Sequence, residues 1–514
     1  MELHSKKDLG LKIIQSLNTN LSKKNIEYCH WKSNEHVDAA VKGETDLDIL
    51  FSFDQKDSAK KVLKDSGFKL FIAPWWRQYP NIEDYIGIDS ETGKIVHVHA
   101  HFRLVLGESG VKSYHLPWED EIIKTRIFYK NCQIYISSPC MELLLLICRL
   151  GIKLESRRLN SKNKKEIEDY IIESSWLKDR VTKKELSNLF INKFGELNVE
   201  IIDIIYDSKF DLNAFLIVNK LVKNEFKKYR RFSKNKAFFI KIIRGLYSKF
   251  ASFKVKLGLW QYKPKRNLPD NGIIISLMGA DGSGKSTQTD RLISEFKQKV
   301  DVYYVYMGSG KGCVSLNRKI IIKLRKVTKA MLGYKNNIDS SSINNTTEEP
   351  KQLSVIKVIG KIIMALSIAR EKRARLLKAY KMKKRGGIII CDRYPQKVVF
   401  GYNDGPRLNY FLNSKNPILK KLAAYEYSLY KITDEIYPDL VFKLLADPLI
   451  LKERRPEMNL DRIIQKQEGV KTIRFQKKSE IIEVNANLEV DLVTAKIMNS
   501  IGIKLNYDDN NLPK

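Results

Sequence analysis

The sequence is short of cysteine, of acidic residues and of long apolar runs, and each shortage excludes something. Six cysteines in 514 residues, at Cys29, Cys132, Cys140, Cys148, Cys313 and Cys391, form no C-x-x-C pair and no zinc-ligand spacing. That excludes a disulfide scaffold and leaves structural thiols of a reducing compartment. The first ten residues, MELHSKKDLG, hold no apolar segment of the secretory type. The longest apolar runs, such as Met141–Cys148, fall far short of the roughly 18–20 residues that span a bilayer. A cytoplasmic protein, peripheral on a membrane at most, is the expectation. Acids are scarce relative to bases, 59 Asp and Glu against 92 Lys and Arg, for a net charge of +33. With 43% hydrophobic and 10% aromatic residues, the chain is nevertheless no solvated basic tail. Its length suggests about three domains at roughly 150 residues each.

The basic excess is concentrated. Residues 221–266 hold 15 Lys and Arg and one acid, and residues 311–385 hold 20 and four, together +30 of the +33. Within the first stretch, Phe239, Ile242, Ile243, Leu246, Tyr247 and Phe250 share one helical face, with Lys241, Arg244 and Lys249 opposite. Such a helix suits an anionic membrane surface. The same pattern suits a linker helix that packs its apolar face on a domain and leaves its lysines in water. Nucleic acid is the least favoured partner, because no recognised binding module accompanies the charge.

The chain divides into three parts. Residues 1–140 alternate helix-like and strand-like patterns. Residues 141–266 read as a helical basic connector, with 3.6-residue periodicity over Lys184–Phe194 and Phe210–Phe226. The run 261–271, polar with two prolines, reads as a linker. Residues 272–505 alternate short apolar strands with helices, at Ile273–Leu277, Val302–Tyr306, Ile388–Ile390, Leu440–Leu445 and Ile481–Val484. This predicts an α/β fold whose parallel sheet carries helices on both faces. Residues 336–350 are polar and read as a loop.

The sharpest motif is Gly279-Ala280-Asp281-Gly282-Ser283-Gly284-Lys285-Ser286-Thr287, between an apolar strand and a helical segment. It fits G-x-x-x-x-G-K-[ST] in the context that motif requires. The glycines let backbone N–H groups curl around phosphates, Lys285 reaches the β- and γ-phosphates of ATP, and the Ser286 hydroxyl suits Mg²⁺. Further on, an apolar strand ends in Asp392-Arg393-Tyr394, which places an acid near a metal shell and a base near an acceptor phosphate. A third strand, from Pro438, leads to Arg454, Arg455, Asp461 and Arg462, a cationic segment able to neutralise charge during phosphoryl transfer. On composition alone it is equally a solvated basic helix.

The order G-x-D-G-S-G-K-S-T, D-R-Y, P-D-L-x-x-x-L, E-R-R and D-R resembles the thymidylate kinase family of nucleoside monophosphate kinases. The resemblance covers 272–505. It implies ATP binding at Gly279–Thr287, acceptor-phosphate and metal roles for Asp392 and Arg393, and a lid carrying Arg454, Arg455 and Arg462. Two departures set the chain apart. The family's arginine-proline-glycine segment, which grips thymidylate, is here Met307-Gly308-Ser309-Gly310-Lys311-Gly312. The segment 396–408 lacks the usual base-holding pattern, and the basic insertion 311–385 is long. An acceptor other than dTMP is expected.

Near the N-terminus, Asp46-Leu47-Asp48 sits in a short apolar strand that aims both carboxylates to one face, as shared Mg²⁺ requires. His97, His99 and His101 alternate along another strand. The region resembles an uncharacterised nucleotidyltransferase-type α+β domain. On that resemblance Lys32 and Ser33 contact phosphate, Asp46 and Asp48 bind metal, and His99 stands where a third acid is usual. The histidines alone also suit a transition metal such as Zn²⁺, and the D-L-D run alone also reads as solvated acids on an exposed strand.

The expectation is therefore a Mg²⁺- and ATP-dependent kinase acting on a small nucleotide or sugar-type acceptor, fused to a nucleotidyltransferase-like domain. A membrane-associated assembly protein that binds nucleotide without turnover is the alternative from another class. A nucleic-acid end-modifying enzyme is a third.

Overall fold

Seven strands of the first 140 residues join in one mixed sheet because each carries apolar residues on at least one face. The computed structural model describes residues 10–108, 110–153, 161–195, 200–207, 212–261, 263–308 and 355–507. Two compact units result: 1–266 with 498–514, and 267–497.

In the first unit the strands are β1 (Tyr28–His30), β2 (Leu47–Phe51), β3 (Phe68–Phe71), β4 (Ile82–Ile88), β5 (Ile95–His101), β6 (Leu104–Leu106), β7 (Tyr114–Leu116), β8 (Ile127–Tyr129) and β9 (Ile134–Ile136). The large sheet runs β3-β4-β5-β2-β1-β9-β8, and β6 pairs with β7 separately. Helices Lys12–Lys23 and Lys56–Asp65 supply Ile14, Leu17 and Leu63 to the core against Leu47, Ile49 and Val98. On the other core, helix Pro139–Lys153 buries Leu143, Leu144 and Ile147 with Trp31, Leu50 and Leu104. The segment read from sequence as a separate connector thus shares its core with the sheet. Its helices Ser161–Lys178, Lys183–Phe194, Glu200–Asp207 and Leu212–Glu225 pack there too. Lys183–Phe194 starts at a reciprocal cap, Thr182 accepting from the Glu185 N–H and the Glu185 carboxylate from Thr182 N–H.

One polar cluster is buried along helix Pro139–Lys153, which carries Glu142 and Arg149. Glu142 accepts from the Asn34 backbone N–H at 2.8 Å, and Arg149 pairs with Glu173 at 3.2 Å. Burial above all, with Glu173 nearby, pushes the Glu142 carboxyl up to about 8 although Asn34 donates to it.

The second unit is a five-stranded, wholly parallel sheet: β10 (Ile273–Gly279), β11 (Val302–Tyr306), β12 (Ile388–Asp392), β13 (Leu440–Leu445) and β14 (Glu480–Asn485), ordered β11-β12-β10-β13-β14. All seven residues of β10 are buried, as expected for a strand covered on both faces. The strand order reverses beside β10, and the crevice at the carboxyl ends of β10 and β12 is where such sheets bind ligands. With helix Lys285–Lys299 springing from β10, this is the P-loop nucleoside-monophosphate-kinase type of fold that the motifs implied. Helix Val355–Lys383 carries the described part of the basic insertion. Several of its cations are absorbed internally: Lys372 by Asp404 at 3.0 Å and Lys383 by Asp439. The polar run 336–350 and Cys313 lie outside the described residues.

Candidate active site

The loop after β10 owes its shape to its glycines. A Cβ on Gly279 would stand 2.3 Å from Ser283 Oγ and 2.7 Å from the Leu444 carbonyl, so no side chain fits. Gly282 and Gly284 have φ of 89° and 85°, the left-handed region that only glycine adopts freely. The turn delivers the first N–H groups of helix Lys285–Lys299 to a common centre, an anion cradle. Ser286 and Thr287 sit exposed in the first turn, and Ser283 is buried below.

Lys285 is buried, with Nζ donating to the Ala280 carbonyl at 2.6 Å. Burial, then the Arg393 guanidinium, bring its pKa down to about 8. The ammonium is folded back on its own loop and held in a setting that disfavours its charge, which an arriving phosphate restores.

Asp392 ends β12, opposite Leu277 of β10. Its Oδ2 accepts from Ser286 Oγ at 3.4 Å, while its buried Oδ1 has no hydrogen-bond partner. Burial raises its carboxyl above the usual range even though Lys285 and Arg393 oppose this. An unsatisfied carboxylate oxygen beside a serine hydroxyl and a phosphate cradle is a donor set that fits Mg²⁺.

Arg393 takes a left-handed φ of 70° and spans two carboxylates, Asp281 at 2.7 Å and Asp404 at 3.6 Å. Asp281 also meets Lys466 on helix Leu460–Thr472. Burial works to raise the Asp281 carboxyl, but Arg393 and Lys466 outweigh it and hold it below the usual range. Arg454 donates to the Gly282 carbonyl at 3.4 Å and the Ala486 carbonyl at 3.2 Å. An added Cβ on Gly282 would be 3.2 Å from Arg455 Cγ, so both arginines stand over the phosphate loop. Arg462 lies in the first turn of Leu460–Thr472. The sequence reading missed Lys466 and Asp404. Lys466 had no motif around it, and Asp404-Gly405-Pro406 reads as a plain turn. Of Met307–Gly312, only Met307 and Gly308 are among the described residues.

In the first unit, register builds a row across three strands: Asp48 on β2 faces His99 on β5, which faces Asp84 on β4. Asp48 Oδ1 is 3.1 Å from His99 Nδ1, 3.4 Å from His101 Nε2 and 2.9 Å from Lys32 Nζ. Asp46 precedes the strand and meets His97 Nδ1 at 3.1 Å, and His97 Nε2 meets Asp84 at 2.8 Å. Arg266 reaches Asp84 at 3.1 Å. Burial, then His99, lower the His101 pKa to about 3, so its ring is neutral. Asp48 lies well below the ordinary carboxylate range: burial opposes, and Lys32 and the two histidines prevail. Donor atoms of Asp48, His99 and His101 lie within 4.8 Å of one another, close enough for one ion; Asp46 is not in that group. Ser33 adopts φ 55° ahead of the short turn Asn34–His36. Asp84 was not foreseen; its signal was the strand-like Ile82–Ile88.

No protein-family model matches the chain. It is similar to the uncharacterised ATP-binding protein YghS of Escherichia coli K12, at 25% identity over 229 residues, 44% of this chain and 92% of that protein. It is similar also to YghR of the same strain, another uncharacterised ATP-binding protein, at 23% over 231 residues, 45% and 87% of the two chains. Solved structures with partial likeness include a thymidylate kinase from Candida albicans, at 18% identity and TM-score 0.29 over 46% of this chain and 94% of that one. A deoxyadenosine kinase from M. mycoides, solved with dATP, gives 18% and 0.26 over 45% and 99%.

Proposed function

We propose that the second unit is an ATP- and Mg²⁺-dependent phosphotransferase of the nucleoside monophosphate kinase type, with a small phosphorylated or sugar-type acceptor other than dTMP. The observation that carries this is the glycine-shaped loop with buried Lys285, set 3.4 Å across Ser286 from a carboxylate whose second oxygen is unsatisfied. The loop's N–H groups bind the phosphates of ATP, and Lys285 leaves the Ala280 carbonyl to meet the β- and γ-phosphates. Ser286 and Asp392 are the residues that would hold Mg²⁺, which supplies charge neutralisation on the transferring group. Arg454 and Arg455, over Gly282, face the charge that develops as the phosphoryl group departs. Arg393, held by Asp281 and Asp404, points its remaining donors to the acceptor side. ATP binding to two similar proteins, as their names state, agrees with this reading. Fluorescent-nucleotide titration of the full chain tests it: saturable Mg²⁺-strengthened binding, lost in Lys285→Ala, is expected, and equal binding by that variant refutes it.

For the first unit we infer a nucleotidyltransferase-like site in which Asp48, His99 and His101 hold one divalent cation and Lys32 and Ser33 face a phosphate. The supporting observation is buried His101, its Nδ1 without a hydrogen bond and its Nε2 turned to Asp48 at 3.4 Å, beside His99 as a further donor. Calorimetric titration of the full chain with Mg²⁺ and with Zn²⁺ tests this and separates the two metals. No heat beyond that of the Asp48→Asn variant removes it.

A further inference from the structure

Helix Lys234–Lys256 is built inside out. A helix on the surface of a water-soluble body turns its apolar stripe inward. Here the inward side is small and polar: Ala251 is buried, Arg244 donates to the Gly110 carbonyl at 3.1 Å, and Lys241 pairs with Glu108 at 2.9 Å. The apolar stripe faces out, with Phe239 at 62%, Leu246 at 60% and Phe250 at 53% exposure, and Ile242 and Ile243 exposed between them. The linker-helix expectation, an apolar face packed on a domain, is not what the structure shows. Ser233 caps the start, its Oγ accepting from the Lys236 N–H, so this is a full helix that carries its stripe deliberately placed.

Two further observations say what covers the stripe. First, the patch continues into aromatic residues of the interfacial kind. Tyr247 packs edge-on to Trp75 at 4.7 Å and stacks on Trp76 at 6.2 Å, and Trp75 is itself 46% exposed. Trp and Tyr favour the headgroup layer, where one side of the ring is apolar and the other wet. Second, the charge is of one sign. Residues 221–266 contain Glu225 as their one acid among 15 Lys and Arg. At 100° per residue, Lys249 and Lys256 fall on one flank of the stripe and Lys236 on the other, where their stems can reach up to phosphates while the stripe sits below. A second copy of this face would set its cations against these, whereas an anionic lipid surface neutralises them and takes the apolar stripe at the same time.

We propose that the first unit docks through the outer face of helix Lys234–Lys256, with Trp75 and Tyr247, onto a membrane surface rich in anionic lipid, lying in the interface without crossing it. No helix among the described residues is long and apolar enough to cross a membrane. The docking is independent of phosphoryl transfer.

The test is flotation of the full chain with vesicles of phosphatidylcholine alone and with phosphatidylglycerol added, at about 0.1 M and about 1 M salt, where the Debye length is about 10 and 3 Å. Capture by the anionic vesicles at low salt, release at high salt and poor capture by the neutral ones are expected. Leu246→Ser with Phe239→Ser alters two side chains already in solvent, so the fold is kept, and partitioning falls about tenfold or more per apolar group removed. Lys249→Glu with Lys256→Glu, which leaves the stripe intact, weakens capture by anionic vesicles alone. Circular dichroism and fluorescent-nucleotide binding check that each variant is folded. Absence of capture at low salt overturns the proposal, as does capture that both variant pairs leave unchanged. Salt-independent dimerisation that is lost in Leu246→Ser with Phe239→Ser also overturns it, in favour of a second copy.

Discussion

In the second unit the phosphate cradle is nine consecutive residues, Gly279–Thr287, and only Asp392 and the arginines come from elsewhere. In the first unit Lys32, Asp48, Asp84, His99 and His101 converge from β4, β5, β2 and the end of β1, separated by up to 69 positions in the chain. The cradle works through backbone N–H groups, which any glycine-shaped turn before a helix presents. The cluster works through side chains, which meet only when register puts Asp48 opposite His99 and His99 opposite Asp84. A one-residue slip of β5 would send every histidine to the other face. The lesson is that a site made by local backbone geometry tolerates change around it, while a site made by cross-strand pairing depends on the whole sheet.

The largest expected effect breaks the cradle. Lys285→Ala should lower ATP-dependent turnover by about 10²–10³-fold, the order lost with one preorganised donor to developing charge. The melting profile should be kept, since the variant removes a charge that burial disfavours. In the wild-type chain, with the Lys285 pKa at about 8, nucleotide affinity should fall as pH rises past 8, up to about tenfold per unit.

The acceptor side sharpens the same comparison. On the proposed reading, dTMP would lack a bidentate arginine partner, since Met307-Gly308-Ser309-Gly310-Lys311-Gly312 contains no arginine. Turnover with dTMP should be at least about 10²-fold below that with the preferred acceptor, at two charge-assisted hydrogen bonds lost. Steady-state ADP release with dTMP checks it, and rates in the usual range of about 1–10³ s⁻¹ would restore the plain thymidylate reading.

The cluster's counterpart is Asp48→Asn with His101→Ala, which should weaken divalent-metal affinity of the full chain by tenfold or more in calorimetry. ADP release by the second unit should stay as it was. Unchanged metal affinity would leave the row as a purely structural network.

This contrast also explains what could be read in advance. All five parallel strands of the second unit were legible, because each is centred on a short apolar run, continuous in the buried central strands: Val302–Tyr306 and Leu440–Leu445 match their expected bounds, and β12 runs two residues further to include Asp392. Gly279–Thr287 was legible because its chemistry is contiguous. Lys466 and Asp404 were not, because Asp281 meets Lys466 across 185 positions and Asp404 is met by Arg393 and Lys372, with no motif at either place. In the first unit the D-L-D run and the alternating histidines were visible, but their partners were not. Asp48 rather than Asp46 joins His99, and His101 completes the group, since Asp46 falls before the strand begins. The helical segment after 140 looked separate because helices and strands differ in period. Its burial of Leu143 and Ile147 with Trp31 and Leu50 depends on tertiary packing that no local pattern records.

The smallest expected effect lies along that segment. Glu142, at about 8 when folded against an ordinary carboxylate near 4.3, binds its proton more tightly in the folded chain. Its stabilising contribution is complete below the unfolded value and is lost as pH rises through about 8. Scanning calorimetry should therefore show melting of the first unit falling by a few degrees between about pH 5 and 8.5, with the slope flattened in Glu142→Gln. An equal slope in that variant would place the pH dependence elsewhere.

The central claim, that the second unit transfers phosphoryl groups from a self-contained cradle, meets its most direct test in one measurement. Full-length protein with Mg²⁺ and ATP is screened against nucleoside monophosphates, phosphorylated sugars and free sugars, with ADP release as the readout. The account predicts acceptor-stimulated release for at least one compound other than dTMP, abolished by Lys285→Ala and retained by Asp48→Asn with His101→Ala. Acceptor-stimulated release that survives Lys285→Ala, or that is lost with the first-unit variant while nucleotide binding persists, would contradict it.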